Sequence, residues 1–232
     1  MYMFYFGFDC DKVMYAQDKD SPVSISPDRL IDQARQCGAV RAALFDTSTL
    51  SYSREFRRLC EQNKCGHYGK NWMCPPAVGA FEELKAKAAR YTCGLVFQTV
   101  HTLSHSLDRK GMRAAFVEHD RVLSRIKRLF TATYAMKDVL ALGAGPCTQC
   151  PTCSAVNGSP CPYPDRAYAS VESYGIDVAE LVRRCEIPYH NGKNTVSYVG
   201  CILFMPDEDA HPLKTRQAVY RHEEVEPCNN PS

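Results

Sequence analysis

The sequence has little that would direct it to a membrane, to nucleic acid or to an extended structure. No apolar run among its 232 residues approaches the roughly 18 residues of a membrane span. Lys and Arg total 28 against 26 Asp and Glu, so the net charge of +2 favours neither nucleic acid nor acidic lipid. Glycine is too scarce, at 13 residues, for a collagen-like chain or a linker protein. The 45% hydrophobic content instead predicts a globular protein with a real core.

Nucleotide-binding motifs are also missing. Gly143 and Gly145 follow a predicted strand, but Thr148 stands where a dinucleotide-binding fingerprint needs its third glycine. The chain has no Walker A loop either. One predicted helix has a basic face, which is more typical of a solvated surface than of a docking site for RNA or an acidic redox partner: Arg121, Arg125, Lys127 and Arg128.

Cysteine is the residue that the chain has in excess. There are 13 cysteines, an odd number that leaves at least one thiol outside any set of intramolecular disulfides. The apolar residues 1–8 follow no basic residue and are cut short by Asp9 and Asp11, unlike a secretory signal. Grouped thiols in a reducing compartment bind metal or do redox work more often than they form disulfides. We therefore predict a cytoplasmic protein with metal-binding cysteines.

The stronger cysteine group is the run Cys147-x2-Cys150-x2-Cys153-x7-Cys161-Pro162. Three thiolates at every third residue suit one face of a cubane cluster, and the bacterial ferredoxin pattern is the same triple followed by Cys-Pro. Zinc usually takes two cysteines from one short segment and two from a distant one. The spacing favours a [4Fe–4S] cluster, with zinc as the alternative.

The second group is Cys60-x4-Cys65-x8-Cys74, followed by two prolines. Together the groups supply seven thiols, one fewer than two four-cysteine sites need, so we predict one cluster or two. The fourth ligand of the Cys147 triple is Cys161 or Cys74.

The Cys60 group has three thiols of its own. It would leave one iron of a cluster open, as a Lewis acid, unless Cys161 or Cys185 closes the site. The candidate catalytic residues are His67 and Tyr68, which stand between Cys65 and Cys74 and can donate protons.

The remaining cysteines are isolated in the sequence. Cys37, Cys93 and Cys201 lie in apolar helix or strand contexts, where a buried free thiol is the common case. We predict that these three are not ligands.

Helical and strand patterns alternate along the chain, which predicts a single α/β domain: a mixed sheet flanked by helices, with two cysteine-rich loops at its edge. The expected organisation is an N-terminal segment 1–25, a metal-binding domain 26–206 and a polar tail 207–232. In the helix predicted at 51–60, Leu59 is expected to face the core and Arg57 to face water. The predicted helices are 26–38, 51–60, 81–91, 111–136, 166–174 and 177–185, and the predicted strands are 40–47, 93–102, 138–142 and 196–204.

Three motifs carry a family resemblance: CGHYGKNWMCPP, then GPCTQCPTC with a later Cys-Pro, then ESYGIDV. Over about residues 30–205 the chain resembles the predicted metal-binding protein family known as domain of unknown function 2284. The resemblance implies cysteine-ligated metal, with iron–sulfur as the favoured centre, and no particular reaction. The matching positions are Cys60, Cys65, Tyr68, Gly69, Cys74, Pro75, Pro76, Gly145, Cys147, Cys150, Cys153, Cys161, Ser170, Glu172, Gly175, Ile176 and Asp177.

These observations support three functional hypotheses. The first is a cytosolic [4Fe–4S] protein, as an electron carrier or an iron–sulfur oxidoreductase acting on a small substrate or a partner protein. The second is a zinc-stabilised interaction module, and the third is a non-redox enzyme that uses an open cluster iron. None of the three involves a membrane or nucleic acid.

Overall fold

The computed structural model describes residues 26–133, 136 and 138–205. All seven grouped cysteines lie within these ranges, whereas the predicted segment 1–25 and tail 207–232 lie outside them. The domain bounds predicted from the sequence therefore stay predictions.

Helices and strands alternate along the described residues, as the sequence predicts. The helices are α1 (Pro27–Gln36), α2 (Arg54–Glu61), α3 (Phe81–Ala88), α4 (Arg109–Arg128) and α5 (Val178–Arg184). The strands are β1 (Arg41–Asp46), β2 (Cys93–Thr102), β3 (Val139–Gly143), β4 (Ala169–Ser170) and β5 (Thr195–Phe204).

The strands form one mixed sheet in the order β1-β2-β5-β3-β4. Strand β5 is antiparallel to both of its neighbours, and β2 is antiparallel to β1. Strand β4 ends the sheet and runs parallel to β3, with Leu142 opposite Ala169 and Gly143 opposite Ser170. The α/β class and the mixed sheet are confirmed.

Helices cover both faces of the sheet. Successive side chains of a strand point to opposite faces, so each face has apolar side chains to bury. Phe97 of β2 packs with α1 and α4 on one face, and its neighbour Val96 packs with α3 and α5 on the other. Cys93 and Cys37 belong to the first cluster and Cys201 to the second. The prediction that these three thiols are buried is confirmed.

Two predicted helices differ from the structure. Residues 166–174 are not helical: the short strand β4 stands between two 3₁₀ turns, Pro164–Arg166 and Glu172–Tyr174. Pairing with β3 overrides the helical pattern there. The helix predicted at 111–136 begins earlier, at Arg109, and changes to a π-helical turn over Leu129–Thr133.

The orientation predicted for α2 is also wrong. Leu59 is 50% exposed, and none of the residues in α2 is fully buried. Arg57 is part-buried, as are Phe56 and Cys60. The reason is that α2 packs on the Glu172–Tyr174 turn rather than on the sheet, and the Arg57 side chain donates to the carbonyls of Ser173 and Gly79 there. None of the helices among the described residues is long and apolar enough to cross a membrane.

His119 of α4 lies completely buried in the core. Its ring stacks on Phe97, with 5.1 Å between the ring centroids, and its Nδ1 lies 3.0 Å from Thr99 Oγ1. Burial, with a smaller contribution from nearby His101, lowers the pKa of His119 to about 3. The folded protein therefore keeps this imidazole neutral far below the pH at which an unfolded chain would protonate it.

We expect this histidine to make the protein less stable in mild acid. Below about pH 6.5 the unfolded state binds a proton that the folded state does not, so the free energy of unfolding falls as the pH falls. Urea unfolding at about pH 7 and at about pH 5 measures the free energy of unfolding. The decrease between these two pH values should be about 2 kcal/mol smaller in His119→Phe than in the unchanged protein. The exposed His190→Gln variant is the control and should keep the original pH dependence. An unaltered pH dependence in His119→Phe would contradict this account.

Candidate metal centre

Two loops carry the grouped cysteines. The first loop, residues 62–80, joins α2 to α3, and Cys60 stands in the last turn of α2 just before it. The second loop, residues 144–168, leaves β3 and returns to β4 at the edge of the sheet. The sequence prediction of two cysteine loops at a sheet edge holds for the second loop, and the first loop reaches the same place by packing against it.

Side chains of Asn71 and Trp72 hold the two loops together. Asn71 is buried, and its Nδ2 donates a hydrogen bond of 2.8 Å to the carbonyl oxygen of Cys147. The Trp72 indole Nε1 donates to Ser154 Oγ at 3.2 Å and to the Ser159 carbonyl at 3.0 Å. These contacts bring together two cysteine groups that are far apart in the sequence.

The first loop also bonds to itself. The Gly69 N–H donates to the Pro75 carbonyl at 2.9 Å, and the Tyr68 N–H donates to Asn63 Oδ1 at 3.0 Å. Asn63 adopts a positive φ of 51°, a conformation that asparagine tolerates better than most residues. Local turns therefore order the loop although it has no helix or strand.

Cys74 lies where the two groups meet. Burial, with smaller contributions from Cys65, Cys60, Cys147 and Cys153, raises the pKa of its thiol to about 12. Thiols from both groups are thus close enough to Cys74 to repel its negative charge.

The Cys147 thiol has acidic and sulfur neighbours as well. Burial raises its pKa, a hydrogen bond from the Gln149 N–H lowers it, and Asp120, Cys161 and Cys153 raise it again. Cys150 is half-buried in the same loop. Cys153 and Cys161 of the second group therefore lie near Cys147, and Cys74 lies near both Cys147 and Cys153.

The Cys60 thiol differs from those of Cys74 and Cys147 because a cation, Arg57, lowers its pKa. Burial raises its pKa, Arg57 lowers it, and Cys65, Glu172 and Glu61 raise it. Because buried thiols that repel one another cannot all ionise without a counter-charge, this donor set suits a soft metal, which binds thiolates and displaces their protons. Within the described ranges, however, no three His, Cys, Asp or Glu side chains approach closely enough to hold a single metal ion.

Two carboxyl groups that the residue patterns did not single out lie beside these thiols. Burial raises the pKa of Asp120 to about 6, while a 3.4 Å hydrogen bond from Thr148 Oγ1 lowers it. Burial also raises the pKa of Glu172, against hydrogen bonds from its own backbone and from Ser170. Glu172 was marked only by the family resemblance, and Asp120 stands in an ordinary helical pattern that carries no signal.

The other predicted site residues lie in different surroundings. His67 and Tyr68 are half-buried in the first loop, and their catalytic role stays a prediction. Cys185 caps α5 and packs against the core, where it raises the pKa of Cys201. The choice between Cys161 and Cys185 as the closing ligand stays a prediction.

A comparison with protein families decides where the chain belongs. The family model described as predicted metal-binding protein (DUF2284) matches residues 43–204, which include both loops and most of the chain. The chain belongs to this family. The resemblance seen in the sequence motifs is thereby confirmed, and the family description gives metal binding without naming the metal. Neither the curated proteins nor the solved structures include a match.

Arg57 fastens the first loop to the rest of this family site. Its guanidinium donates to the Gly79 carbonyl at 2.8 Å and to the Ser173 carbonyl at 3.0 Å. One side chain therefore ties the end of the first loop to the turn that carries Glu172.

We expect Arg57→Ala to lower the free energy of unfolding by about 2 kcal/mol, because hydrogen bonds from a charged donor are lost and a part-buried carbonyl is left without its partner. Urea unfolding at neutral pH measures the change. The control is Arg58→Ala in the same helix, which removes only an exposed ion pair with Glu55 and should cost less than about 0.5 kcal/mol. Equal losses in the two variants would contradict a fastening role for Arg57.

Proposed function

We propose that this protein binds [4Fe–4S] clusters and works as a redox protein or reductase. Cys147, Cys150, Cys153 and Cys161 would hold one cluster, and Cys60, Cys65 and Cys74 would hold a second. The observation that carries the proposal is the packing of the two loops, because Asn71 and Trp72 bring both cysteine groups to one region.

The spacing of the second group favours iron–sulfur over zinc. Three thiolates at every third residue, followed by a Cys-Pro, resemble the ferredoxin pattern. Zinc usually takes two cysteines from one short segment and two from a distant one. Cys60, Cys65, Cys147 and Cys153 all raise the pKa of Cys74, so thiols of both groups lie near it.

Once bound, such a cluster supplies one-electron transfer at a potential set by its surroundings. The chain's own residues set those surroundings. Arg57 places a positive charge beside Cys60, and Asp120 beside Cys147 has a pKa of about 6, so it can hold or release a proton near neutral pH. His67 and Tyr68 are the candidate proton donors of the first loop. The partner would be a small substrate or a redox protein, and a reducing cytoplasm would keep the thiols free.

Anaerobically purified protein should be brown, with iron and inorganic sulfide in equal amounts. Cys150→Ala should lose about four irons per chain, because the Cys147–Cys153 triple then has no middle thiolate to bind its face of the cubane. The control is Cys185→Ala, which removes a thiol that lies beside Cys201 and should keep the full iron content. Iron, sulfide and zinc analysis with a visible spectrum measures all three proteins.

Two results would contradict the iron–sulfur assignment. Colourless protein with one zinc per chain would show a zinc-stabilised module instead. A Cys150→Ala protein with unchanged iron would show that the second group does not hold the cluster.

A second candidate function rests on the position of Cys185. Because Cys185 lies against the core beside Cys201, the Cys60 group has three thiols, and one position of a cluster held there would stay free for water or a substrate. Such a site acts as a Lewis acid.

Cyanide should then perturb the spectrum of one cluster and leave the other unchanged. Cys185→Ala should respond to cyanide as the unchanged protein does. The absence of any cyanide effect, together with loss of a whole cluster in Cys185→Ala, would instead show that Cys185 closes the site.

A further inference from the structure

A cavity of about 600 Å³ opens beside Cys161. It lies between the first loop, α3 and the β3–β4 edge of the sheet, and this volume is within the range of small-molecule sites. The apolar part of its wall is formed by Met73, Val78, Leu84, Leu140 and Leu142. A molecule with an apolar body would bind favourably in this cavity, because its apolar surface would be removed from water.

One wall of the cavity is a fixed aromatic ring. Trp72 lines the cavity, and its indole N–H is held by Ser154 and Ser159 of the second loop. An aromatic ring that is already held in place costs little conformational entropy when a ligand packs against it.

Two polar groups on the wall are open to a ligand. Lys87 is exposed at the cavity and forms no ion pair within the part of the chain described by the structure. Tyr174 is only 3% exposed, but its hydroxyl is not among the buried polar atoms that lack a partner within the same residues, so it is open to the cavity that this residue lines. Glu83, the acidic residue of the wall, already accepts a hydrogen bond of 3.2 Å from the Ala80 N–H.

From these features we infer a binding site for a small carboxylate with an aromatic or other apolar body. The body would pack against Trp72 and the aliphatic wall, and the carboxylate would pair with Lys87. A single cation suits one negative charge rather than a phosphate, and Tyr174 offers a further hydrogen bond to a polar substituent. The bound molecule would lie against Cys161, so its role as substrate of the metal centre rests on the proposed function, whereas its binding does not.

Trp72 makes this site directly measurable, because it is the only tryptophan in the chain. Phenylbutyrate is the probe and phenylbutanol is its uncharged analogue. We expect phenylbutyrate to change the Trp72 fluorescence of the full-length, metal-loaded protein, and calorimetric titration to give a matching affinity. Phenylbutanol should bind about fivefold more weakly, because it has no charge to pair with Lys87.

Three variants locate the site. Lys87→Gln should weaken phenylbutyrate about fivefold and leave phenylbutanol unchanged. Lys85→Gln is the matched control on the same helix, because Lys85 Nζ lies over the ring of Tyr52, 5.6 Å from its centroid, and does not line the cavity. Ala77→Phe adds a ring at an exposed position of the wall and should weaken both ligands.

The outcomes separate this inference from the proposed function, since iron is measured in every sample. Iron-loaded protein that binds neither ligand, or binding that is unaffected by Lys87→Gln and Ala77→Phe, would overturn the inference and leave the iron–sulfur assignment standing. Protein without iron that still shows the Lys87-dependent binding would support the site and contradict the iron–sulfur assignment.

Discussion

The hydrogen bond from Asn71 to the Cys147 carbonyl is the contact on which the candidate metal centre depends. The same amide accepts the Met73 N–H at 2.9 Å, so one buried side chain satisfies a backbone group in each loop. Buried carbonyls and N–H groups without partners are costly, and neither loop has an α-helix or a strand to supply those partners. Trp72 reinforces the contact at a second point. Asn71 and Trp72, which are adjacent in the sequence, therefore hold the loop of the Cys60 group against the loop of the Cys147 group.

The last pair of strands in the sheet, β3 and β4, positions the second loop for that contact. Gly143 ends β3 and Ser170 ends β4, and the two lie opposite each other in parallel register. The Val171 N–H adds a hydrogen bond of 2.9 Å to the Gly143 carbonyl. The second loop therefore leaves and re-enters the fold at adjacent positions, which fixes its base although most of its length has no regular structure. Arg57 fixes the end of the first loop in a similar way, because it donates hydrogen bonds to the carbonyls of both Gly79 and Ser173.

The sequence predicts the parts of this structure that depend on periodicity and spacing. Strand β2 was placed at 93–102 as the structure has it, because a run rich in aliphatic and β-branched residues needs a buried sheet position. The cysteine spacing predicts two metal-binding loops, because few other roles explain grouped thiols. Strand β4 could not be found, because two residues carry no periodicity and are paired only by the tertiary fold. Arg57 and Asp120 were missed because charged residues on amphipathic helices ordinarily face water, and only the packed loops give these two another role.

The electrostatics of the site link metal binding to the stability of the loops. Burial and mutual repulsion raise the pKa values of Cys60, Cys74 and Cys147, and the carboxyls of Asp120 and Glu172 add to the repulsion at Cys147 and Cys60. Arg57 is the cation that opposes this at Cys60. Packing the loops therefore concentrates groups that stay protonated on their own and become thiolates only beside a cation. A metal centre held by thiols of both loops would supply that charge, and its binding energy would then also stabilise the contact between the loops.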